Sequence, residues 1–453
     1  MPPLLSCRPS SVLSRPALAV ALGLALSLPA AARCIDDNGR ELQPPAGADG
    51  GAAAPMEPRA QMQELIGLAI SRSNAVGAAK LLVEAAQHDI EEAKAAAKLQ
   101  ASAFAGVNYQ SNTVWGLAQP AGTQGRVGAQ VGSMLYDGGR VERLTDWRTS
   151  LAEAARQGQI NTQEQIALQA VSSALERARY RLQAQVYQQY GRKMACLVEA
   201  LEQIVKTDRG RASELVQAQK SQAQAELARA GALSAMRQSE IRLRRFVGDG
   251  LPPTEGLSSL LTRLPPMDEV MAQTERSAEI ALLKAQSQAA SSYAQALAAA
   301  TRPQVNWSLG ASKAVGVGNP SALQVGINLT LPLLAPAADP SIAAAQRRAE
   351  ATRLTQIDVL ESRRSRVADV HEQATSAFDR ARRVAEVVRD SDRVRNFTLQ
   401  QWQQLGRRSL FDVMAAEGDH YNMRVTYVNA LIDGQQANAL LWSLGGGLAV
   451  WLQ

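Results

Sequence analysis

Two long proline-free stretches constrain this 453-residue chain more than any other feature. They run from Gly139 to Lys206 and from Ser341 to Leu405, and both are rich in Ala, Leu, Gln and charged residues, as long helices are. A helix rises about 1.5 Å per residue, so each stretch can extend roughly 100 Å, whereas helices of globular domains average about 11 residues. A compact globular domain is therefore a poor fit to this sequence.

The apolar positions of both stretches predict that the helices pair as antiparallel coiled-coil hairpins. Apolar residues recur at three- and four-residue spacing, which forms a stripe that needs a partner helix. They include Ile160, Ile166, Leu168, Val171, Leu175, Val384, Val387, Val388 and Val394. A Gly-x-x-Ser segment follows each stretch, at 210–213 and 406–409, and we expect these segments at hairpin tips. There the glycine is expected to adopt the positive φ that ends a helix.

The chain is organised as two similar halves. Arg72 to Lys80 and Arg276 to Lys284 share a pattern, and each leads into an Ala-rich helix, two strand-like segments and a long helical stretch. The breaker segment Gly248 to Pro253 separates the halves. We therefore predict a first repeat over 59–247, a linker over 248–266, a second repeat over 267–445 and a C-terminal tail over 446–453.

The N-terminus has the pattern of a secretory signal peptide over residues 1–32. A positively charged start precedes a short apolar run, Ala17 to Leu28, and alanines then offer a cleavage site. A retained anchor helix is the alternative. Residues 33–58, rich in Pro, Gly and Ala, predict a flexible leader. Cys34 would suit a lipid-modified N-terminus, but Arg33 stands where such signals have a small residue.

Four segments alternate apolar with polar or glycine residues, as half-buried strands do. They lie near Ala103 to Tyr109, Val127 to Val131, Val305 to Ser312 and Leu323 to Leu331. One interpretation is the wall of a transmembrane β-barrel, and the other is ordinary strands packed on helices. Since so few strands cannot close a barrel and open edges are not tolerated in lipid, the first interpretation requires several chains.

The charge pattern and the motif content argue against several classes of function. The formal net charge is +6, but 48 Lys and Arg residues are scattered among 42 Asp and Glu residues, which is not typical of a nucleic-acid binder. The histidines His88, His371 and His420 lack metal-ligand spacing, and no nucleophile or phosphate-loop motif is present. We therefore expect no enzyme activity, no cofactor and no nucleic-acid partner.

The segment Tyr136, Asp137, Gly138, Gly139 and Arg140 and the two tip segments resemble motifs of the TolC family of outer-membrane channel proteins. The segment from Met134 is similar to the family's strand-to-helix exit, in which an aromatic residue precedes Asp-Gly-Gly-Arg. Here that motif reads Tyr136, Asp137, Gly138, Gly139 and Arg140. The second half departs from it, with Pro332 to Pro336 and no paired glycines. The tip segments 210–219 and 406–422 are also similar, and the resemblance extends from Gln61 to Leu448.

This resemblance implies a mainly α protein with a membrane β-barrel. Each protomer would contribute long antiparallel coiled-coil hairpins and four transmembrane strands. Three chains of four strands would form a 12-stranded barrel in outer-membrane lipid and continue as a periplasmic α-helical barrel. The implied partners are a second and third copy of the chain, a periplasmic adaptor protein and an inner-membrane transporter of the ABC type.

The tip from Asp208 to Gln219 looks most like the branch of the family that serves type I protein secretion. That branch implies export of a protein toxin of the haemolysin or cyclolysin kind. Two alternatives stay open at this point. One is the outer-membrane component of a drug or metal efflux pump, and the other is a non-channel periplasmic coiled-coil scaffold.

The resemblance also marks candidates for a gate. Asp412 matches one acidic ring position of the family, but the second ring position is Ala415 here. Asp412 is alternatively a solvated carboxylate at a helix start, stabilised by the helix dipole. Arg408 matches an arginine that holds the entrance closed, and Glu214 at the other tip is its candidate partner. The implied adaptor-docking residues are Gly210, Arg211, Ser213, Gly406, Arg407 and Ser409.

Overall fold

A computed structural model describes residues 57–110, 113–114, 117–118, 121–251, 256–316, 321–405 and 407–452 of the chain. The predicted signal peptide at 1–32, Cys34, nearly all of the leader at 33–58, and Gly406 of the second tip lie outside these residues.

Two helices of 68 residues each dominate the fold, as the proline-free stretches predict. At about 1.5 Å per residue each reaches roughly 100 Å. The second begins slightly before the predicted stretch and places Pro340 in its first turn, where a missing N–H costs little. The helices are α1 Pro58–Arg72, α2 Asn74–Ala95, α3 Arg140–Thr207, α4 Ala212–Val247, α5 Met267–Thr274, α6 Ala278–Ala299, α7 Ala338–Leu405, α8 Leu410–Leu444 and α9 Leu448–Leu452.

The long helices form two antiparallel hairpins, α3 with α4 and α7 with α8. The hairpins pack against each other through α3 and α8. Helix α6 lies between α3 and α7, while α2, its counterpart in the first half, packs on α3. Among the described helices no single one is long and apolar enough to cross a membrane, and only the pair α1 and α2, bent by 59° where they meet, passes that test together.

A four-stranded antiparallel sheet in the order β1-β4-β5-β6 joins the two halves. The central pair, β4 and β5, brings one strand from each half together, with a bulge between Met134 and Tyr136. A short hairpin, β2 with β3, lies between β1 and β4, and the alternation pattern did not predict it. The strands are β1 Gln100–Gln110, β2 Thr113–Val114, β3 Leu117–Ala118, β4 Gly122–Tyr136, β5 Gln304–Gly316 and β6 Ser321–Thr330.

The register places most apolar residues of the four strands on one face of the sheet, while Phe104 and Met134 lie on the other. Ala103 pairs with Ala129, Ala129 with Ala311, and Ala311 with Leu323. Side chains alternate between the faces of a strand, so every second residue from these rows shares their face. On β6 this face is bare, since Leu323, Val325 and Ile327 are 75%, 72% and 71% exposed. The sheet is therefore not packed on helices within the protomer, which leaves its apolar face for another environment.

Three apolar clusters hold the described helices together, and the smallest joins α5, α7 and α8. The largest joins α1, α3, α4 and α8 through side chains such as Met62, Leu175 and Ile432. The second lies beneath the hairpin tips and joins α3, α4, α7 and α8, with Leu201, Leu399 and Leu410 at its centre. Burial of a leucine is worth about 2 kcal/mol, so both hairpin ends are fixed by packing rather than by the turns alone.

The packing of α7 on α8 can be tested at Gly434, which lies against Phe378. A Cβ at Gly434 would lie 2.7 Å from Cε1 of Phe378, so alanine overpacks this crossing. We expect Gly434→Ala to destabilise the protein by about 1–3 kcal/mol. Gly67→Ala is the matched control, because a Cβ there meets nothing within 4 Å and removing a helical glycine favours the helix. Thermal unfolding followed by circular dichroism measures both, and equal melting temperatures would contradict the packing.

Candidate functional site

The tip between α7 and α8 is built around a capping box. The Ser409 hydroxyl accepts from the Asp412 backbone N–H at 3.2 Å, and the Asp412 carboxylate accepts from the Ser409 N–H at 3.1 Å. Both groups satisfy donors that a helix start leaves open. Asp412 therefore occupies the helix-start position, and its carboxylate remains exposed to solvent at the end of the hairpin. Arg407 is also exposed there, and its backbone N–H donates to the Gln401 carbonyl.

The tip between α3 and α4 does not reverse direction through a glycine with positive φ, contrary to the prediction. Helix α3 ends at Thr207, a short 3₁₀ turn covers Arg209–Arg211, and α4 starts at Ala212. The Asp208 carboxylate accepts from the Gly210 N–H at 3.0 Å. Gly210 is not among the described glycines with positive φ, so the predicted left-handed conformation is wrong at this tip. The aspartate turn and the 3₁₀ geometry reverse the chain without it.

The two predicted gate partners have separate contacts within one protomer. Glu214 pairs with Arg211 at 3.1 Å, one helical turn away. The Arg408 Nε donates to Gln401 Oε1 at 3.2 Å within its own hairpin. The predicted pair between Arg408 and Glu214 is therefore not formed in the described part of a single chain. Ser213 lies exposed in the first turn of α4, beside these groups.

A ladder of polar contacts runs along the α3–α8 crossing. Arg179 pairs with Asp433 at 2.6 Å. One turn further along, Gln183 Nε2 donates to Asn429 Oδ1 at 2.6 Å. The rings of Tyr190 and Tyr421 follow at 5.0 Å. The residue numbers of the contacts rise along α3 toward the tip and fall along α8, as they do in any antiparallel pair of helices. The contact between the two hairpins is thus polar along much of its length.

The ladder ends in a buried ionic cluster near the tips. Glu417 is fully buried, with Lys193 Nζ at 3.7 Å from one carboxylate oxygen and Arg395 Nη1 at 3.5 Å from the other. Arg395 also pairs with Asp392 at 2.7 Å. The cluster therefore ties α3, α7 and α8 together. Removal of one partner of such a buried pair typically costs about 3–5 kcal/mol, because a charge is left unpaired.

His420 lies beside this cluster as a buried neutral imidazole. Burial, with the nearby cations Arg395 and Arg424, lowers the pKa of His420 to about 4, against the smaller opposing effect of Asp392. Its Nδ1 lies 3.0 Å from the Ser391 hydroxyl. Burial also lowers the pKa of the Arg424 guanidinium, which lies over the Tyr421 ring. The neighbourhood is electropositive, so a further positive charge on the imidazole is disfavoured.

The strand-to-helix exit after β4 shows why its motif needs Asp-Gly-Gly. The Asp137 carboxylate accepts from the N–H groups of Gly139 and Val141, at 2.9 and 2.5 Å, and caps α3 just before Arg140 begins the helix. Gly138 and Gly139 have φ of 68° and 86°. A Cβ at Gly138 would also lie 2.5 Å from Cβ of Arg302. Only glycine fits both the backbone and the close approach.

Several residues of the site are not apparent from the sequence. Arg302 donates to the Gly138 carbonyl at 2.8 Å and so joins the helix-to-strand entry of the second half to the exit of the first. Lys193, Arg395 and Glu417 lie far apart along the chain, and no spacing signal connects them. In the described ranges no group of three or more His, Cys, Asp and Glu side chains is placed to hold a metal ion.

Solved structures match this arrangement over most of its length. CusC, described by its transmembrane channel formation, matches with a TM-score of 0.77 over 86% of this chain and 92% of its own, at 17% identity. The outer-membrane protein VceC from Vibrio cholerae matches with a TM-score of 0.73 over 86% and 96%, at 18% identity. The open-state outer-membrane channel MtrE of Neisseria gonorrhoeae matches with a TM-score of 0.74 over 85% and 89%, at 15% identity.

The chain has the fold of an outer-membrane channel protomer. No protein-family model matches it, and a comparison with curated proteins finds no match by sequence. The fold predicted from the TolC resemblance, with long helical hairpins and a small antiparallel sheet, is therefore confirmed. At these identities the likeness concerns the fold, and the secretion branch stays a prediction.

The buried imidazole of His420 predicts acid sensitivity. Its folded pKa is below that of an unfolded histidine, so its contribution to stability is complete above about pH 6.5 and is lost as pH falls toward about 4. We expect the free energy of unfolding to fall by roughly 2–3 kcal/mol per protomer across that window. His420→Gln should lessen this pH dependence.

The measurement is urea-induced unfolding of the purified protein at pH 7.5 and at pH 4.5. His371→Gln is the control, because this histidine on α7 is only partly buried and should leave the dependence intact. An unchanged pH dependence in His420→Gln would remove His420 as its source.

Proposed function

We propose that three copies of the chain form a channel through the bacterial outer membrane that serves as the exit duct of a type I secretion system. The single observation that carries the channel is the sheet, whose apolar face lies exposed in the protomer. Its outer strands, β1 and β6, run in opposite directions. The β6 strand of one copy can therefore pair antiparallel with β1 of the next, and three sheets of four strands would close as a 12-stranded barrel.

The exposure of the β6 side chains supports lipid as the environment of the apolar face of the sheet. From Leu323 to Leu329 every second residue is a large aliphatic side chain at least 67% exposed. The 10 residues of β6 and the 11 of β1 match the roughly 9–11 residues that a transmembrane strand needs. In water such a surface would be an aggregation hazard, whereas in hydrocarbon it is the required one.

The packing of the helices also supports a trimer, because the two halves of the chain are similar and their equivalent helices should have equivalent contacts. Helix α6 fills the groove between α3 and α7, and α2 is its counterpart in the first half. The α7 helix of a neighbouring copy would give α2 the equivalent second contact. Leu81 and Leu82 of α2 are 64% and 66% exposed, and Leu354 and Ile357, at the corresponding level of α7, are 53% and 39% exposed. Exposed apolar stripes on both helices fit an interface between copies.

The hairpin tips support a regulated entrance at the periplasmic end. Between the two apolar clusters the hairpins meet along a ladder of polar contacts, which can exchange partners when helices shift. The exposed tip residues, including Arg407, Ser213 and Asp412, form an end surface on which a periplasmic adaptor protein would dock. An inner-membrane transporter of the ABC type would deliver cargo through that adaptor.

The choice of a protein toxin as cargo is supported by the tip segment Asp208 to Gln219, which resembles the secretion branch. The alternative is efflux of drugs or metal ions by the same kind of duct. Deleting the gene separates the two, because loss of one secreted protein supports export, whereas increased drug or metal sensitivity with unchanged secretion supports efflux. A soluble periplasmic scaffold would show neither and would fractionate outside the membrane.

The proposed assembly predicts a trimer with single-channel conductance. We expect the protein extracted from outer membranes in detergent to size as a trimer and to conduct in planar bilayers. Leu354→Asp should weaken the trimer, because it buries a carboxylate in the proposed interface between α2 and α7. Met267→Asp, an exposed apolar position outside both stripes, is the control. A monomeric, non-conducting wild-type protein would overturn the proposal.

We propose that Arg408 helps to hold the channel entrance closed. Its guanidinium contacts Gln401 in its own hairpin and has donors left for a neighbouring copy. One exposed pair contributes only about 0–1 kcal/mol, but three around a ring can bias a gate. We expect Arg408→Ala to raise the mean conductance in planar bilayers, with Arg407→Ala as the adjacent control. Equal conductance in both variants and the wild type would remove Arg408 from the gate.

A further inference from the structure

The polar face of the sheet has an unusual composition for the wall of a water-filled channel. Its residues are those that alternate with the apolar rows, and they are mainly amides, serines and glycines, with Phe104 and Met134 as its large apolar side chains. The amides on this face are Gln100, Asn108, Gln124, Gln130, Gln304, Asn306, Gln324 and Asn328. Among the described strand residues on this face none is acidic, and Arg126 is the one that carries a charge.

Arg126 lies near the end of the sheet that is remote from the helices. It pairs across β1 with Gly106 and across β5 with Ala314. The connections from β1 to β4 and from β5 to β6 are at this end, while all four links to helices are at the other. Glycine and alanine neighbours leave space around its side chain, and Arg126 is exposed. Within the described residues it has no ion-pair partner.

The neighbouring position on β5 provides an internal contrast. Lys313 pairs with Val127, the residue next to Arg126, so the two cations lie at nearly the same level of the sheet. Val127 and Lys313 belong to the apolar face, and Arg126 belongs to the polar face. One cation therefore points away from the proposed lumen and the other into it.

We propose that Arg126 forms a ring of three cations at the outer end of the channel and gives that end a preference for anionic solutes and acidic polypeptide segments. The inference rests on the proposed trimeric channel. Three guanidinium groups around one axis raise the local concentration of anions, and the amide-lined wall below them supplies no carboxylate to cancel their field. Arginine also binds carboxylates through two parallel hydrogen bonds, which suits acidic side chains in transit.

The ring lies at the opposite end of the molecule from Asp412. Any selectivity of the entrance therefore acts in series with that of the exit, and a test must separate the two ends. Access from one side of the bilayer achieves this, because a large polyanion added at the barrel side meets Arg126 before it meets the helical tips.

The experiment measures block of single-channel current by poly-L-glutamate added to each side of a planar bilayer that contains the trimer. We expect block from the barrel side at a concentration about tenfold lower for the wild type than for Arg126→Gln. Arg126→Lys should keep most of the block because it keeps the charge. The reversal potential in a KCl gradient should shift toward cation preference in Arg126→Gln.

The matched control is Lys313→Gln, which removes the same charge from the opposite face at the same level. Wild-type block in Lys313→Gln together with weakened block in Arg126→Gln supports the ring. Equal block in the wild type and Arg126→Gln would overturn it, as would an equal loss in Lys313→Gln. A protein that forms no conducting trimer would instead refute the proposed channel, so the two failures are distinguishable.

Discussion

The structure depends on one constraint, the need of a strand edge for a hydrogen-bond partner. The sheet ends at β1 and β6, and each outer strand has backbone N–H and C=O groups that the protomer does not pair. In water these groups are solvated, but in hydrocarbon each unpaired group costs several kcal/mol. An exposed aliphatic face and two open edges are compatible only if the edges meet other copies of the sheet. The open edges and the exposed aliphatic face of one chain thus fit the proposed assembly of several copies.

The long helices also depend on partner elements, but they need them for packing and not for backbone hydrogen bonds. Most of the stability of a helix in a protein comes from tertiary packing, and here each helix of about 100 Å is paired with a shorter antiparallel helix, while α3 also packs on α8 of the other half. Apolar clusters fix the middle of α3, where α4 and α8 end, and the region near the tips, while the stretch of the α3–α8 crossing between them has polar contacts. In that stretch the hairpins contact each other through polar groups that can exchange partners, and this property suits an entrance that opens and closes.

Local motifs were readable in the sequence where the chemistry is local. The Asp137-Gly138-Gly139 motif indicated a strand-to-helix exit through its resemblance to a family motif, and the structure shows a local reason, since one carboxylate caps the helix and both glycines take positive φ. The Gly210 prediction was wrong because the Asp208 side chain supplies an alternative turn that needs no left-handed residue. Arg302, which donates to Gly138 from the other half, could not be found in this way, since 164 residues separate the two.

The sequence by itself determined the lengths of the two long helices, the duplicated plan, the alternation of the strands and the cap at the start of α3. These properties follow from proline positions, periodicity and neighbouring side chains. Tertiary structure alone decided that Glu417 meets Lys193 and Arg395, that β4 and β5 join the halves, and that Arg126 and Lys313 lie on opposite faces of one level. Those contacts depend on how distant helices and strands are aligned, and no local pattern encodes that alignment.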